Sequence, residues 1–126
     1  MKTELSNGEW ILMKALWESP MTITQLTKAM KDGTGWTKHT IISMLTRLEV
    51  KGAIRHESNG KAKVFFPVLQ HEDAVQQETG HFLDKVFDGR LGVMLSTMVD
   101  SRQLTQADLD ELSAILEKAK GGNGDE

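Results

Sequence analysis

Trp36-Thr37-Lys38-His39-Thr40-Ile41-Ile42-Ser43-Met44-Leu45-Thr46-Arg47-Leu48-Glu49-Val50-Lys51-Gly52 runs into Ala53-Ile54-Arg55-His56-Glu57-Ser58-Asn59-Gly60-Lys61-Ala62-Lys63-Val64-Phe65-Phe66-Pro67. The spacing predicts a helix capped by Thr37. Ile41, Met44, Leu45 and Leu48 fall at i, i+3, i+4, i+7, a single apolar stripe. Gly52 stands where a left-handed residue ends a helix. Ile54 to Glu57 and Ala62 to Phe66 then read as strands. Ser58-Asn59-Gly60-Lys61 between them is a hairpin signal, and Pro67 closes the second strand. A helix with a polar outer face, followed at once by a basic hairpin, is the arrangement of a winged helix-turn-helix.

The residues before Trp36 supply the other helices such a fold requires. Ser6-Asn7-Gly8-Glu9 is a capping box that opens a helix to about Glu18. Trp10, Met13, Leu16 and Trp17 are its expected inward residues, and Ser19-Pro20 ends it. Thr22-Ile23-Thr24-Gln25 is a second capping box, opening a helix to about Lys31 with Leu26, Ala29 and Met30 inward. Asp32-Gly33-Thr34-Gly35 reads as a turn.

After His71 the pattern is helical only. One helix is expected to about Asp88, with Val75, Phe82, Val86 and Phe87 among its apolar positions, and Gly89 interrupts it. Leu91 to Val99 is apolar on more than one face. A third segment opens at Thr105-Gln106-Ala107-Asp108 and carries Leu109, Leu112, Ile115 and Leu116. Gly121-Gly122-Asn123-Gly124 reads as a frayed tail. The expected class is mostly α with a small β hairpin: a winged helix over 1–68 and a helical dimerisation region over 69–126. Three short helices with so much apolar surface need a cover, and a second copy of the chain is the simplest one. Phe82, Val86, Leu91, Met94, Leu95, Met98, Leu109, Leu112 and Leu116 are the expected dimerisation residues.

Charge divides along the same line. Residues 1–68 hold ten Lys/Arg against six Asp/Glu, and residues 69–126 hold five against twelve, so +4 and −7 make the net −3. Attraction to phosphate follows the local field rather than the total. On the third helix Lys38, His39, Thr40, Ser43, Thr46 and Arg47 lie on or beside the polar face, with Thr37 at its cap. These types read base edges or grip phosphate. Arg55, His56, Lys61 and Lys63 on the hairpin suit the backbone. The bland alternative is a solvated helix face and a Lys-protected strand edge, which would suit a winged-helix protein-interaction module without DNA binding.

Other classes find little support. The 126 residues contain no Cys, no Tyr, no G-x-S-x-G and no H-E-x-x-H. His71 and His81 are not i, i+4 neighbours, so no metal or other cofactor is expected, and no enzyme. The N-terminus is polar, and no stretch approaches the ~20 apolar residues of a membrane span. A cytoplasmic protein with no membrane insertion is the expectation.

The chain resembles the penicillinase and methicillin-resistance repressor family (BlaI/MecI type), with the copper-responsive repressors as relatives. The resemblance is carried from about Leu5 to Lys118 by Glu9-Trp10-Ile11-Leu12-Met13-Lys14 with Leu16-Trp17, and by Trp36-Thr37, Thr40-Ile41, Met44-Leu45 and Arg47-Leu48. Lys51-Gly52-Ala53, His81-Phe82-Leu83, Gln103-Leu104-Thr105 and Glu111-Leu112 complete it. It implies a homodimeric transcriptional repressor on a palindromic, double-stranded promoter operator. It also implies a signal-activated protease that cleaves in the second helix of the dimerisation half. The family's Asn-Phe bond falls at Thr97-Met98 here. The copper-responsive relatives carry a C-terminal cysteine cluster that this chain lacks.

Overall fold

The computed structural model describes residues 4–124. Helix α1 (Asn7–Glu18) starts at a complete capping box: Glu9 N–H donates to Ser6 Oγ at 3.2 Å, and Ser6 N–H donates to Glu9 Oε1 at 2.8 Å. Extended Ser19 and Pro20 end it. Strand β1 (Met21–Thr22) feeds α2 (Ile23–Thr34), whose Thr22–Gln25 capping box is also complete. Gly35 ends α2 at φ 69°, and three residues later α3 (Lys38–Lys51) begins behind the Thr37 cap. Gly52 takes φ 81°, where a β-carbon would be strained. Strands β2 (Ile54–Asn59) and β3 (Ala62–Pro67) follow as an antiparallel hairpin.

The sheet has three strands in the order β1-β3-β2. The third strand was not expected from the sequence. Met21 pairs with Phe65 and Thr22 with Val64, so the hairpin is fastened to the start of α2. The core lies between α1, α2, α3 and the sheet. Leu12, Met13, Leu16, Leu26, Ile41, Leu45, Leu48, Ile54 and Phe65 are all buried there. The α3 stripe is buried as its spacing predicts.

Other expectations need correction. Helix α2 runs three residues past Lys31, because Gly35 and not the Asp32-Gly33 pair supplies the left-handed stop. Ala29 is exposed. Trp10 and Trp17 are half-buried rather than core; Leu12 and Glu9 take the inward positions on α1. The two indoles meet edge to face at 5.4 Å, and Trp17 Nε1 donates to the Leu69 carbonyl at 2.8 Å. A buried polar N–H needs such a partner, which draws the ring to the rim.

Helix α4 (His71–Phe87) ends at Asp88 and Gly89, both left-handed, and leads to α5 (Leu91–Asp100) and α6 (Gln106–Gly124). Thr105 and Asp108 form a reciprocal cap for α6. Helix α6 continues through the glycine-rich segment expected to be a frayed tail. The chain divides into compact units Met1–Gly80 and His81–Glu126. The first turns of α4 belong to the winged helix, because Ala74 is buried there and His71 packs 4.8 Å from Trp17.

The second unit is open. Among its described side chains none is buried. Met94, Leu95, Met98, Leu104 and Leu112 are half-buried and, with Ile115, line one apolar crevice. Phe82, Val86, Leu91, Val99, Leu109 and Leu116 are exposed. Among the described residues no helix is long and apolar enough to cross a membrane.

Candidate nucleic-acid interface

The buried stripe of α3 fixes what its opposite face presents. At 100° per residue, His39, Ser43 and Val50 point away from the core, with Ile42 and Thr46 beside them; all five are exposed, Val50 by 83%. Thr46 Oγ1 donates to the Ile42 carbonyl at 3.0 Å, so it offers lone pairs and a methyl outward rather than its proton. Thr37 Oγ accepts the Thr40 N–H, and the two hydroxyls lie 3.2 Å apart. That pair serves the cap first. Trp36 packs its ring against Gly8, where an added β-carbon would lie 3.5 Å from the indole and 3.3 Å from Met44 Sδ. The close approach of α1 sets the entry of α3.

Two flanks border this face. On the flank toward the hairpin, Lys38, Lys61 and Lys63 line one open cleft with Thr22, Ile23 and Thr24. Three lysines, from α3 and the hairpin, thus line a cleft beside the first turn of α2. Thr22 and Thr24 are additions that the sequence reading missed; they are brought here by the β1–β3 pairing.

The hairpin register sorts its cations. His56 pairs with Phe65 and Ser58 with Lys63, while Arg55 pairs with Phe66 and Glu57 with Val64. Alternate residues take opposite faces of a strand. Lys63 therefore shares a face with buried Phe65, and Arg55 stands on the other. There Arg55 Nη1 donates to Glu57 Oε2 at 2.5 Å, and its guanidinium lies 4.4 Å above the Phe66 ring. His56, expected among the phosphate contacts, meets Glu49 Oε2 through Nδ1 and packs on Phe65. It ties the hairpin to α3.

On the flank toward α1 stands Arg47, 61% exposed, with Nε 3.9 Å from Glu9 Oε2. Glu9 is the one buried charged residue among those described. Its Oε1 accepts from Lys51 Nζ and from Ser6 N–H, and Lys51 also donates to the Glu4 carbonyl. Burial pushes the Glu9 carboxyl up, but Lys51 and Ser6 pull it down further, to a net value below the ordinary one. A depressed native pKa adds stability that is present above the unfolded value of about 4.3 and lost as pH falls through the native value. Wild type is expected to be more stable than Glu9→Gln at neutral pH, with the gap closing below about pH 4. Acid titration followed by circular dichroism checks this; a constant gap would show that the carboxylate charge contributes nothing.

The comparisons with known proteins agree with this geometry. Residues 5–118 match the model of the family described as penicillinase repressor. The penicillinase repressor of Bacillus licheniformis is 30% identical over 118 residues, 93% of this chain and 92% of that protein. The methicillin resistance regulatory protein MecI of Staphylococcus aureus is 28% identical over 119 residues, 91% of this chain and 94% of that one. Among solved structures, the monomeric form of Bacillus licheniformis BlaI in complex with the blaP half-operator superposes with a TM-score of 0.51. It is 31% identical and covers 57% of this chain and 90% of that one. The chain belongs to the penicillinase repressor family, the DNA-binding transcriptional repressors of BlaI/MecI type, and is a regulator rather than an enzyme.

Proposed function

We propose that this chain acts as a cytoplasmic homodimer on a palindromic, double-stranded promoter operator. The observation that carries the DNA-contact reading is the cleft lined by Lys38, Lys61 and Lys63 beside the outward face of α3. The lysines hold the phosphate backbone. His39, Ile42, Ser43 and Thr46 enter the major groove, with Ile42 suited to a thymine methyl and Ser43 to a base edge. Arg47 reaches the groove from the α1 flank. Thr37 and Thr40 set the helix start, and its first N–H groups face phosphate. Arg55, engaged with Glu57 and Phe66, braces the hairpin from behind.

The dimer rests on the second unit, where no described side chain is buried and at least six large apolar residues stand exposed. Two such units facing each other cover Phe82, Val86, Leu91, Leu109 and Leu116. Release by a signal-activated protease would act at Thr97-Met98, inside α5. A helical peptide bond must unwind to enter a protease cleft, so α5 has to open first.

The test is the salt dependence of duplex binding. Lys61→Ala and Lys63→Ala are each expected to weaken binding to every sequence about equally. One phosphate contact per subunit is two per dimer, so each substitution should flatten the log–log salt slope by ~2. An unchanged slope would mean that the hairpin lysines do not reach the backbone.

A further inference from the structure

Glu9 and Arg47 form an arrangement that neither the core nor the phosphate cleft accounts for. The Glu9 carboxylate is 1% exposed. Its two oxygens are used unequally. Oε1 is saturated by Lys51 Nζ and Ser6 N–H. Oε2 is buried and has no hydrogen-bond donor. The cation it faces is Arg47, Nε at 3.9 Å, just beyond hydrogen-bond reach. A buried acceptor left empty costs stability and is rarely retained without a use.

The helix geometry supplies one. Arg47 stands on the flank of α3, well to the side of the line through His39, Ser43 and Val50. An arginine there reaches the groove only if its stem is aimed. A free guanidinium samples many rotamers, and ordering them opposes binding. Oε2 faces the Nε edge of the guanidinium at 3.9 Å, and an attraction at that edge leaves the two terminal amino groups free for a base. That is the fork which pairs with the O6 and N7 of guanine. Lys51 already offsets the Glu9 charge, so the attraction orients Arg47 without cancelling its own charge.

We infer that Glu9, a buried residue of the first helix, is a positioning residue that aims Arg47 for base recognition. The inference rests on the DNA-binding reading above. Glu9 touches no base; it acts through Arg47.

The experiment uses the full-length protein. Wild type first selects duplexes from a random-sequence library, and the selected duplex then competes with random duplex. Glu9→Gln keeps the size of the side chain but removes its charge. The ratio of selected to random affinity is expected to fall about tenfold, the range of one bidentate base contact. Affinity for random duplex and its salt slope are expected to stay at the wild-type level. In an Arg47→Ala background, Glu9→Gln is expected to cost no further discrimination. Should Glu9→Gln fail to fold, Glu9→Asp, which retracts the carboxylate by one methylene, is expected to lower the same ratio. An unchanged ratio, an equal loss on both duplexes, or additive losses in the double variant would overturn the positioning role. A wild type that enriches no consensus would instead overturn the DNA-binding reading itself.

Discussion

Leu109→Asp combined with Leu116→Asp is expected to convert a dimer into a monomer and to abolish tight operator binding. The two positions are seven residues apart on α6 and share a face. Leu109 is 38% and Leu116 52% exposed in the single chain, so each leaves apolar surface for a partner to cover. This makes the pair a cleaner probe than Leu95, which is half-buried in the crevice with Met94, Met98 and Leu112. Full burial of a leucine is worth roughly 1.5–3 kcal/mol, and a dimer carries four of these side chains. Replacing them with charges adds desolvation against the partner. The dimer should weaken more than about a thousandfold, since each ~1.4 kcal/mol is a factor of ten. Sedimentation at micromolar concentration reads the assembly. Melting of the first unit should be unchanged, which separates loss of pairing from loss of fold. A variant that stays dimeric would place the interface elsewhere than on this face of α6.

Coupling between the ends of the molecule follows from the same arithmetic. A single winged helix holds one half-site, and a dimer holds two with the second binding event made intramolecular. In the proposed dimer, pairing residues of the second unit would therefore set operator affinity. The acidic second half suits this role. A net −7 is unfavourable beside phosphate, which supports the proposal that the +4 half makes the DNA contact.

Much of the first unit was legible because its signals are local. Ser6 with Glu9, Thr22 with Gln25, and Thr37 before a clean i, i+3, i+4, i+7 stripe fix three helix starts within a residue. The hairpin is where Asn59-Gly60 signalled it, but the turn itself is one residue later, Gly60-Lys61, with Asn59 paired to Ala62. What was missed depends on distant partners. Strand β1 is two residues long and exists only because Val64 and Phe65 lie across from it. Sequence alone marks Glu9 as a cap, which it is; that its other oxygen faces Arg47 depends on how α1 crosses α3. The division between Lys63 and Arg55 follows from strand parity. It was available in principle, but it needs the register that the turn sets. Gly121, Gly122 and Gly124 each violate helix propensity by about 1 kcal/mol, yet α6 continues through them, so local preference alone misplaces that end.

Leu48→Ala is expected to destabilise the winged helix by about 2–5 kcal/mol, the cost of a core leucine replaced without collapse of the cavity. Leu48 is 0% exposed on α3, and its carbonyl accepts the Ala53 N–H at 2.9 Å just before the hairpin begins. Its side chain thus sits where the reading helix turns into the wing. Ile41, Leu45, Ile54 and Phe65 complete that core. Domains of this size are held by only about 5–15 kcal/mol, so the loss is a large fraction of the total. The substitution touches no residue of the outward face or the lysine cleft. At low temperature, where the folded form still dominates, affinity for the selected duplex should approach that of wild type. On warming it should collapse well below the wild-type transition. The proposed dimer should persist through that transition, because each His81–Glu126 unit takes its apolar cover from its partner rather than from the winged helix. Circular dichroism with sedimentation on either side of the first melt reads both properties. Simultaneous loss of dimer and winged helix in one cooperative step would show that the two units fold as one, and would refute their independence.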